Sequence, residues 1–328
     1  MSDIDVASLS AAVRQGDRRA LGRAITLIES RRPADRQNAR ELLDQLAPYA
    51  GNSVRVGISG APGAGKSTFI ESLGNYLIDQ GKRVAVLAVD PSSALSGGSI
   101  LGDKTRMEIL SRRTEAFIRP SPSGDTLGGV ARRTRETMQV VEAAGFDVVL
   151  VETVGVGQSE TEVARMTDMF LLLLLPGGGD ELQGIKRGIV ELADLIIVNK
   201  ADGDTKAPAQ RTAADYRNAL HLLHPRSENW QVPVESYSAR DGERTADIWN
   251  IVEAFKAAMT ASGEFDEHRT AQSLAWMWSE VTDSLLDLLR HDTAVRDQVK
   301  TLEAAVSAGE TSAVAAAQQL IATFLKHQ

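Results

Sequence analysis

Gly60-Ala61-Pro62-Gly63-Ala64-Gly65-Lys66-Ser67 fits the pattern G-x-x-x-x-G-K-[ST], and its flanks place it where that pattern works. Val54-Arg55-Val56-Gly57-Ile58-Ser59 ahead of it alternates apolar residues as a strand does. Thr68-Phe69-Ile70-Glu71-Ser72-Leu73-Gly74-Asn75-Tyr76-Leu77 behind it has helical spacing. A strand, a glycine-rich turn and a helix start make a phosphate-binding loop, and that unit belongs to α/β folds. The glycines let successive N–H groups and the positive helix end face phosphate oxygens. The set from Gly60 through Thr68 is therefore expected to hold the phosphates of a nucleoside triphosphate. Lys66 would reach the β- and γ-phosphates, and Ser67 would ligate Mg²⁺.

A second motif addresses the base. The apolar run Ala193-Asp194-Leu195-Ile196-Ile197-Val198 ends in Asn199-Lys200-Ala201-Asp202, an N-K-x-D turn at a strand end. The Asp202 carboxylate can accept from the ring N1–H and the exocyclic amine of guanine, donors that adenine lacks as a pair. A mismatched base would leave that carboxylate unpaired, at about 1–3 kcal/mol or more. Asn199 is expected on the purine edge, and the Lys200 stem over the ring. Tyr237-Ser238-Ala239 follows the strand Val232-Pro233-Val234-Glu235-Ser236 and fits a short loop whose N–H groups meet the guanine oxygen. These residues predict a GTPase rather than an ATPase.

Bulk properties restrict the alternatives. The chain has 328 residues, 43% hydrophobic and 24% charged, enough for one large α/β domain with helical additions. A formal net charge of −8 disfavours nucleic acid or an anionic membrane surface as partner. With no cysteine, disulfides and thiolate metal sites are excluded. The apolar run Met169-Phe170-Leu171-Leu172-Leu173-Leu174-Leu175 falls far short of a bilayer span and reads as a central parallel strand. Met1-Ser2-Asp3-Ile4-Asp5 shows no basic-then-apolar targeting pattern, so a cytoplasmic location is expected.

Three regions follow from the patterning. Residues 1–50 read as an N-terminal helical extension, with Asp17 capping one helix and Pro33 and Asp35 introducing a second. Residues 51–257 alternate strands and helices, predicting a doubly wound, mostly parallel sheet. The expected strands are 54–59, 83–89, 115–119, 146–152, 168–175, 194–199 and 232–237. Residues 258–328 read as helical, with an apolar stripe of Leu274, Met277, Trp278, Val281, Leu285 and Leu288 suited to an isologous homodimer.

The remaining motifs carry a family resemblance. Asp90-Pro91-Ser92-Ser93 ends one strand, and Glu152-Thr153-Val154-Gly155 ends another, where Ras-like GTPases have D-x-x-G. That pairing resembles the SIMIBI class of P-loop GTPases. Gly97-Gly98-Ser99-Ile100-Leu101-Gly102-Asp103-Lys104-Thr105-Arg106-Met107, Arg119-Pro120-Ser121-Pro122-Ser123, the run from Glu152 to Glu160 and Gly179-Asp180-Glu181-Leu182-Gln183-Gly184-Ile185-Lys186 are similar to the MeaB/ArgK family. The resemblance covers the whole core and extends over both helical ends. It implies a Mg²⁺-dependent GTPase that chaperones an adenosylcobalamin-dependent acyl-CoA mutase, with no cobalamin bound by this chain itself.

Site roles follow from the resemblance position by position. Asp90 and Asp103 match acidic residues near Mg²⁺, and Glu152 matches the acidic residue that holds the metal or orients the attacking water. Gly155 would sense the γ-phosphate, and Arg106 is a candidate stabiliser of transition-state charge or the partner of a nearby carboxylate. Gln158 lies three residues beyond Gly155, not directly after it, so slow intrinsic hydrolysis is expected. Asp180, Gln183 and Lys186 resemble a third switch that communicates with the mutase, and the triple glycine before them suits a loop with two arrangements. Two rival functions remain at this point, a nickel-delivery GTPase and a small-molecule kinase. The first fits poorly with a chain that lacks cysteine, and the second has no evident use for N-K-x-D.

Overall fold

Seven apolar segments pair into one sheet because each is long enough for a strand and too apolar to leave a face in water. The computed structural model describes residues 4–30, 32–89, 107–120, 127–153, 159–177, 187–221 and 226–326. The strands are β1 (Val54–Gly60), β2 (Val84–Val89), β3 (Ala116–Arg119), β4 (Val148–Thr153), β5 (Met169–Leu174), β6 (Leu195–Val198) and β7 (Val234–Ser236). Each lies within two residues of the bounds expected from the sequence. Their order is β3-β2-β4-β1-β5-β6-β7, and every pairing is parallel.

Helices cover the sheet. In chain order they are α1 (Val6–Arg14), α2 (Arg18–Ile28), α3 (Pro33–Leu46), α4 (Lys66–Asp79), α5 (Glu108–Arg112), α6 (Leu127–Ala143), α7 (Ser159–Met166), α8 (Arg187–Val190), α9 (Lys206–Leu220), α10 (Thr245–Ser262), α11 (Glu264–His291), α12 (Thr293–Ser307) and α13 (Ala313–Lys326). The central strands β1 and β5 are buried nearly throughout, as a doubly wound sheet requires. Chain order reverses about β1, so the loop after β1 opens at the carboxyl edge beside the switch point, where such folds bind ligands. Among the described residues no helix is long and apolar enough to cross a membrane.

At the opposite edge, the start of β1 is anchored by a buried ion pair. Arg55 Nε and Nη2 donate to the two carboxylate oxygens of Glu142 at 2.7 and 2.8 Å. Ser53 and the Gly51 amide bond the same carboxylate. Burial opposes ionisation of Glu142, but the Arg55 guanidinium outweighs it and, with Ser53 and Gly51, holds the carboxyl below its usual range.

The N-terminal helices pack on this core. Asp17 caps α2 by accepting from the Ala20 amide at 2.7 Å, as expected, and Ala20, Leu21, Ala24, Ile25 and Ile28 are buried. The helix α1 was not anticipated, yet Asp5 caps it in the same way through Ser8. Gln139 of α6 bonds the Leu43 carbonyl of α3, and Glu29 pairs with Arg119 of β3.

The chain divides into two compact units, Met1–His268 and Arg269–Gln328. The expected boundary at residue 258 falls inside α10, whose Met259 is buried in the core cluster. In the second unit Val295 and Ala316 are buried. Leu274, Met277, Trp278, Val281, Leu285 and Leu288 are instead 40–64% exposed in the single chain.

Candidate functional site

The loop between β1 and α4 is built on two backbone constraints. A Cβ on Gly60 would lie 2.4 Å from the Leu173 carbonyl oxygen. Gly65 has a left-handed φ of 86°, and a Cβ there would lie 2.5 Å from Asn199 Nδ2. Glycine at these positions lets β5 and the Asn199 loop close on the phosphate loop. α4 begins at once with Lys66, so its unsatisfied amides and positive end open onto the loop.

Lys66 is 8% exposed, and its ammonium donates to the Gly60 carbonyl at 2.7 Å and, more weakly, to the Ala61 carbonyl at 3.4 Å. That places the charge across the mouth of the loop. Ser67 Oγ donates to Glu152 Oε1 at 3.4 Å, so the hydroxyl and carboxylate singled out for metal come together. Glu152 is set by its strand: the adjacent Thr153 hydroxyl donates to Ser59 Oγ at 2.9 Å, tying the end of β4 to the end of β1.

The base-reading turn follows β6. Lys200 is exposed and has a φ of 57°, the positive value being rare outside glycine. The turn is held by the Ala201 amide on the Tyr237 carbonyl and by the Thr205 hydroxyl, which bridges the Lys200 and Asp202 carbonyls. A backbone kept in an uncommon conformation by surrounding bonds is typical of a functional turn. Ser238 Oγ donates to Asp202 Oδ2 at 2.8 Å, which orients the carboxylate.

Asn199 joins two loops. It is 1% exposed, its Nδ2 donates to the Ala64 carbonyl at 2.8 Å, and its Oδ1 accepts from the Ala239 amide at 3.0 Å. Both ends of the amide are engaged by the protein, so Asn199 clamps the phosphate loop to the Ser238–Ala239 loop; the clamp uses one of the two Nδ2 protons and leaves the purine-edge role expected from the sequence standing. The motif was legible, but the role of its first residue depends on a contact across the sheet.

The structure thus gathers Gly60, Ala61, Pro62, Gly63, Ala64, Gly65, Lys66, Ser67 and Thr68 with Glu152, Asn199, Lys200, Asp202, Ser238 and Ala239 at one edge of the sheet. Asp90, Asp103, Arg106, Gly155, Gln158, Asp180, Gln183 and Lys186 lie outside the described residues. Sequence reasoning missed Ser59 and Thr153, and also Ser72 and Thr245, whose hydroxyls meet that of Tyr237 beneath the base loop. A cavity lined by Arg217, His221, Arg226 and Trp230 sits at the amino ends of β6 and β7, away from these loops. The donors assembled at the phosphate loop, a hydroxyl and a carboxylate, are hard oxygen ligands that suit Mg²⁺.

Comparison with known proteins agrees with this geometry. A family model described as methylmalonyl Co-A mutase-associated GTPase MeaB matches residues 21–294. The GTPase ArgK of Escherichia coli is 51% identical over 277 residues, covering 84% of each chain. The mitochondrial methylmalonic aciduria type A homolog of Mus musculus is 48% identical over 320 residues, covering 94% of this chain and 77% of its own. A crystal structure described as LAO/AO transport system kinase aligns over 99% of both chains with a TM-score of 0.76 and 40% identity.

Proposed function

The chain belongs to the MeaB family of GTPases and hydrolyses GTP, and we propose that it spends that hydrolysis on chaperoning an adenosylcobalamin-dependent acyl-CoA mutase. The observation that carries the nucleotide half is the clamp of Asn199, which binds the phosphate loop and the guanine-reading loops into one site. The mutase half is supported by the family match over residues 21–294.

In this reading the phosphate-loop amides and Lys66 receive the triphosphate, and Asp202, oriented by Ser238, selects guanine. Ser67 and Glu152 would hold Mg²⁺, together with Asp90 and Asp103. Bound there, Mg²⁺ supplies neutralising charge to the phosphate oxygens. Glu152 either assists that binding or orients the attacking water, and Arg106 answers the developing charge. Intrinsic turnover is slow, and the mutase accelerates it through Asp180, Gln183 and Lys186. The protein acts in the cytoplasm.

The same proposal includes a homodimer. The exposed stripe on α11 from Leu274 to Leu288 follows helical spacing, which gives a continuous apolar face for a second copy. The dimerisation region then begins after His268, where the first compact unit ends.

Phosphate release from GTP and from ATP, with and without purified mutase, tests the proposal. GTP-selective hydrolysis that rises severalfold with mutase is the expected result. An unchanged rate at saturating mutase would reject the chaperone reading. Phosphate recovered on an organic acceptor instead of water would favour the kinase activity named for the similar crystal structure.

A further inference from the structure

Three hydroxyls from distant parts of the chain meet beneath the base-reading loops. Tyr237 Oη lies 3.0 Å from Ser72 Oγ and 2.7 Å from Thr245 Oγ1, and the latter two are 3.1 Å apart. Ser72 belongs to α4, the helix that opens with Lys66, whereas Thr245 begins α10. Tyr237 and Thr245 are buried, and the Tyr237 ring packs edge-on against Phe69 at 5.7 Å between centroids.

One proton direction in this cluster is fixed, because a carbonyl can only accept, and the other directions are inferred from it. Thr245 Oγ1 donates to the Gly242 carbonyl at 2.8 Å, and a hydroxyl has a single proton. Thr245 must therefore accept from Tyr237. With its own proton committed, Tyr237 accepts from Ser72. The chain of donation runs from Ser72 to Tyr237 to Thr245 to the Gly242 carbonyl. Gly242 continues it, since its amide donates to the Ser238 carbonyl at 3.0 Å, and the Asp241 amide donates to Ser238 Oγ at 3.2 Å. Ser238 Oγ in turn donates to Asp202 Oδ2. An ordered set of bonds thus connects the phosphate-loop helix with the carboxylate that reads the base.

We propose that Ser72, Tyr237 and Thr245 are positioning residues for guanine selection, holding the Ser238–Gly242 turn so that Ser238 keeps Asp202 aimed at the base. The inference rests on Asp202 as the guanine reader and adds the device that aims it. None of the three side chains touches nucleotide in this scheme. Their effect is confined to the fidelity of Asp202, because the phosphate loop has its own anchor in Asn199.

The test compares GDP with IDP, which lacks the exocyclic amine, using the full-length wild type and the variants Tyr237→Phe, Thr245→Val and Thr245→Ser. Tyr237→Phe keeps the ring packing and removes only the hydroxyl. Thr245→Val keeps the shape and cuts the side-chain anchor to Gly242, leaving the Thr245 amide on that carbonyl at 3.2 Å, while Thr245→Ser keeps both. Affinity for each nucleotide is measured by titration, inhibition by pyrophosphate reports on the phosphate loop alone, and a thermal melt monitors folding. The expected result is a loss of GDP affinity of about tenfold in Thr245→Val and about threefold in Tyr237→Phe, as weakening a charge-assisted bond implies. IDP, which keeps only the N1–H bond to Asp202, should lose less affinity than GDP, pyrophosphate inhibition should change less than about twofold, and Thr245→Ser should stay near wild type, since it keeps the bonds. A GDP-to-IDP ratio that stays at the wild-type value in Tyr237→Phe overturns the inference, whatever happens to the melting temperature. If Thr245→Val fails to fold, Tyr237→Phe and Thr245→Ser decide it. Should the wild type bind GDP and IDP equally, the guanine-reading role of Asp202 fails first, which separates that failure from failure of the network.

Discussion

Replacing Asn199 with alanine separates a clamp within the protein from a contact with nucleotide. The side chain is 1% exposed and bonds the Ala64 carbonyl at 2.8 Å and the Ala239 amide at 3.0 Å. Both backbone partners are themselves buried, at 0% and 6% exposure for their residues. Truncation strands one acceptor and one donor, a loss of about 2–4 kcal/mol for the two together. In a unit of this size each kcal/mol lowers the melting temperature by about 2–4 °C, so a drop of about 4–16 °C is expected without any nucleotide. GDP affinity should fall as well, because the phosphate and base loops lose their link. Asn199→Asp retains the acceptor for Ala239 but turns a carboxylate oxygen toward the Ala64 carbonyl, and should be at least as damaging. Calorimetric melting of nucleotide-stripped protein, paired with GDP titration, measures both effects. A melting temperature unchanged within about 1 °C, with GDP affinity still reduced, would refute the clamp and leave Asn199 with the purine edge alone.

Three other perturbations test other parts of the account. Glu142→Gln removes the carboxylate charge paired with buried Arg55 and should cost about 3–5 kcal/mol in a denaturant melt, with little change in GDP affinity, because the pair sits at the edge of the sheet opposite the site. The folded-state pKa of Glu142 is depressed, so its stabilisation is present above the unfolded value and lost as pH falls through the folded one; the variant should lack that acid-side loss. Removing 269–328 should convert a dimer into a monomer that still binds GDP, since the first compact unit ends at His268; sedimentation of the truncated chain as a dimer would place the interface elsewhere. Lys186→Ala should leave intrinsic hydrolysis within about threefold and abolish most acceleration by mutase, whereas Lys66→Ala should damage nucleotide binding or hydrolysis with or without the partner, having lost the direct counter-ion of the phosphates. Phosphate-release assays of both variants check this, and equal loss of intrinsic rate would put Lys186 in the active site.

The legible features were those written in local pattern. Gly60–Ser67 stood out because a strand, a close turn and a helix start are adjacent in the chain, and the seven strands because each is a short apolar run between breakers. Asn199-Lys200-Ala201-Asp202 was recognisable because its position at a strand end is also local. The contact of Asn199 with the phosphate loop was not recoverable, since Ala64 lies 135 positions away and is met only when β6 takes its place in the sheet. Ser72, Tyr237 and Thr245 gave no signal for the same reason: isolated hydroxyls on a helix, a strand end and a helix start look like ordinary surface or core residues. Ile248, Trp249, Val252, Phe255 and Met259 of α10 complete the core beside the sheet, a set of contacts that composition alone does not reveal. The exposed stripe on α11 was visible as periodicity, but periodicity does not distinguish a face that packs within the chain from one left open.

Titration of Asp202→Asn with GTP and with xanthosine triphosphate tests most directly that this edge of the sheet reads guanine. The substitution exchanges a carboxylate for an amide that both donates and accepts, while Ser238 can still bond the remaining oxygen. GTP affinity should fall about 10- to 100-fold and xanthosine triphosphate affinity should rise above that of the wild type, as loss of bonds to a charged group implies. Undiminished GTP affinity, with no gain for xanthosine triphosphate, would remove Asp202 from the base pocket and contradict the site described.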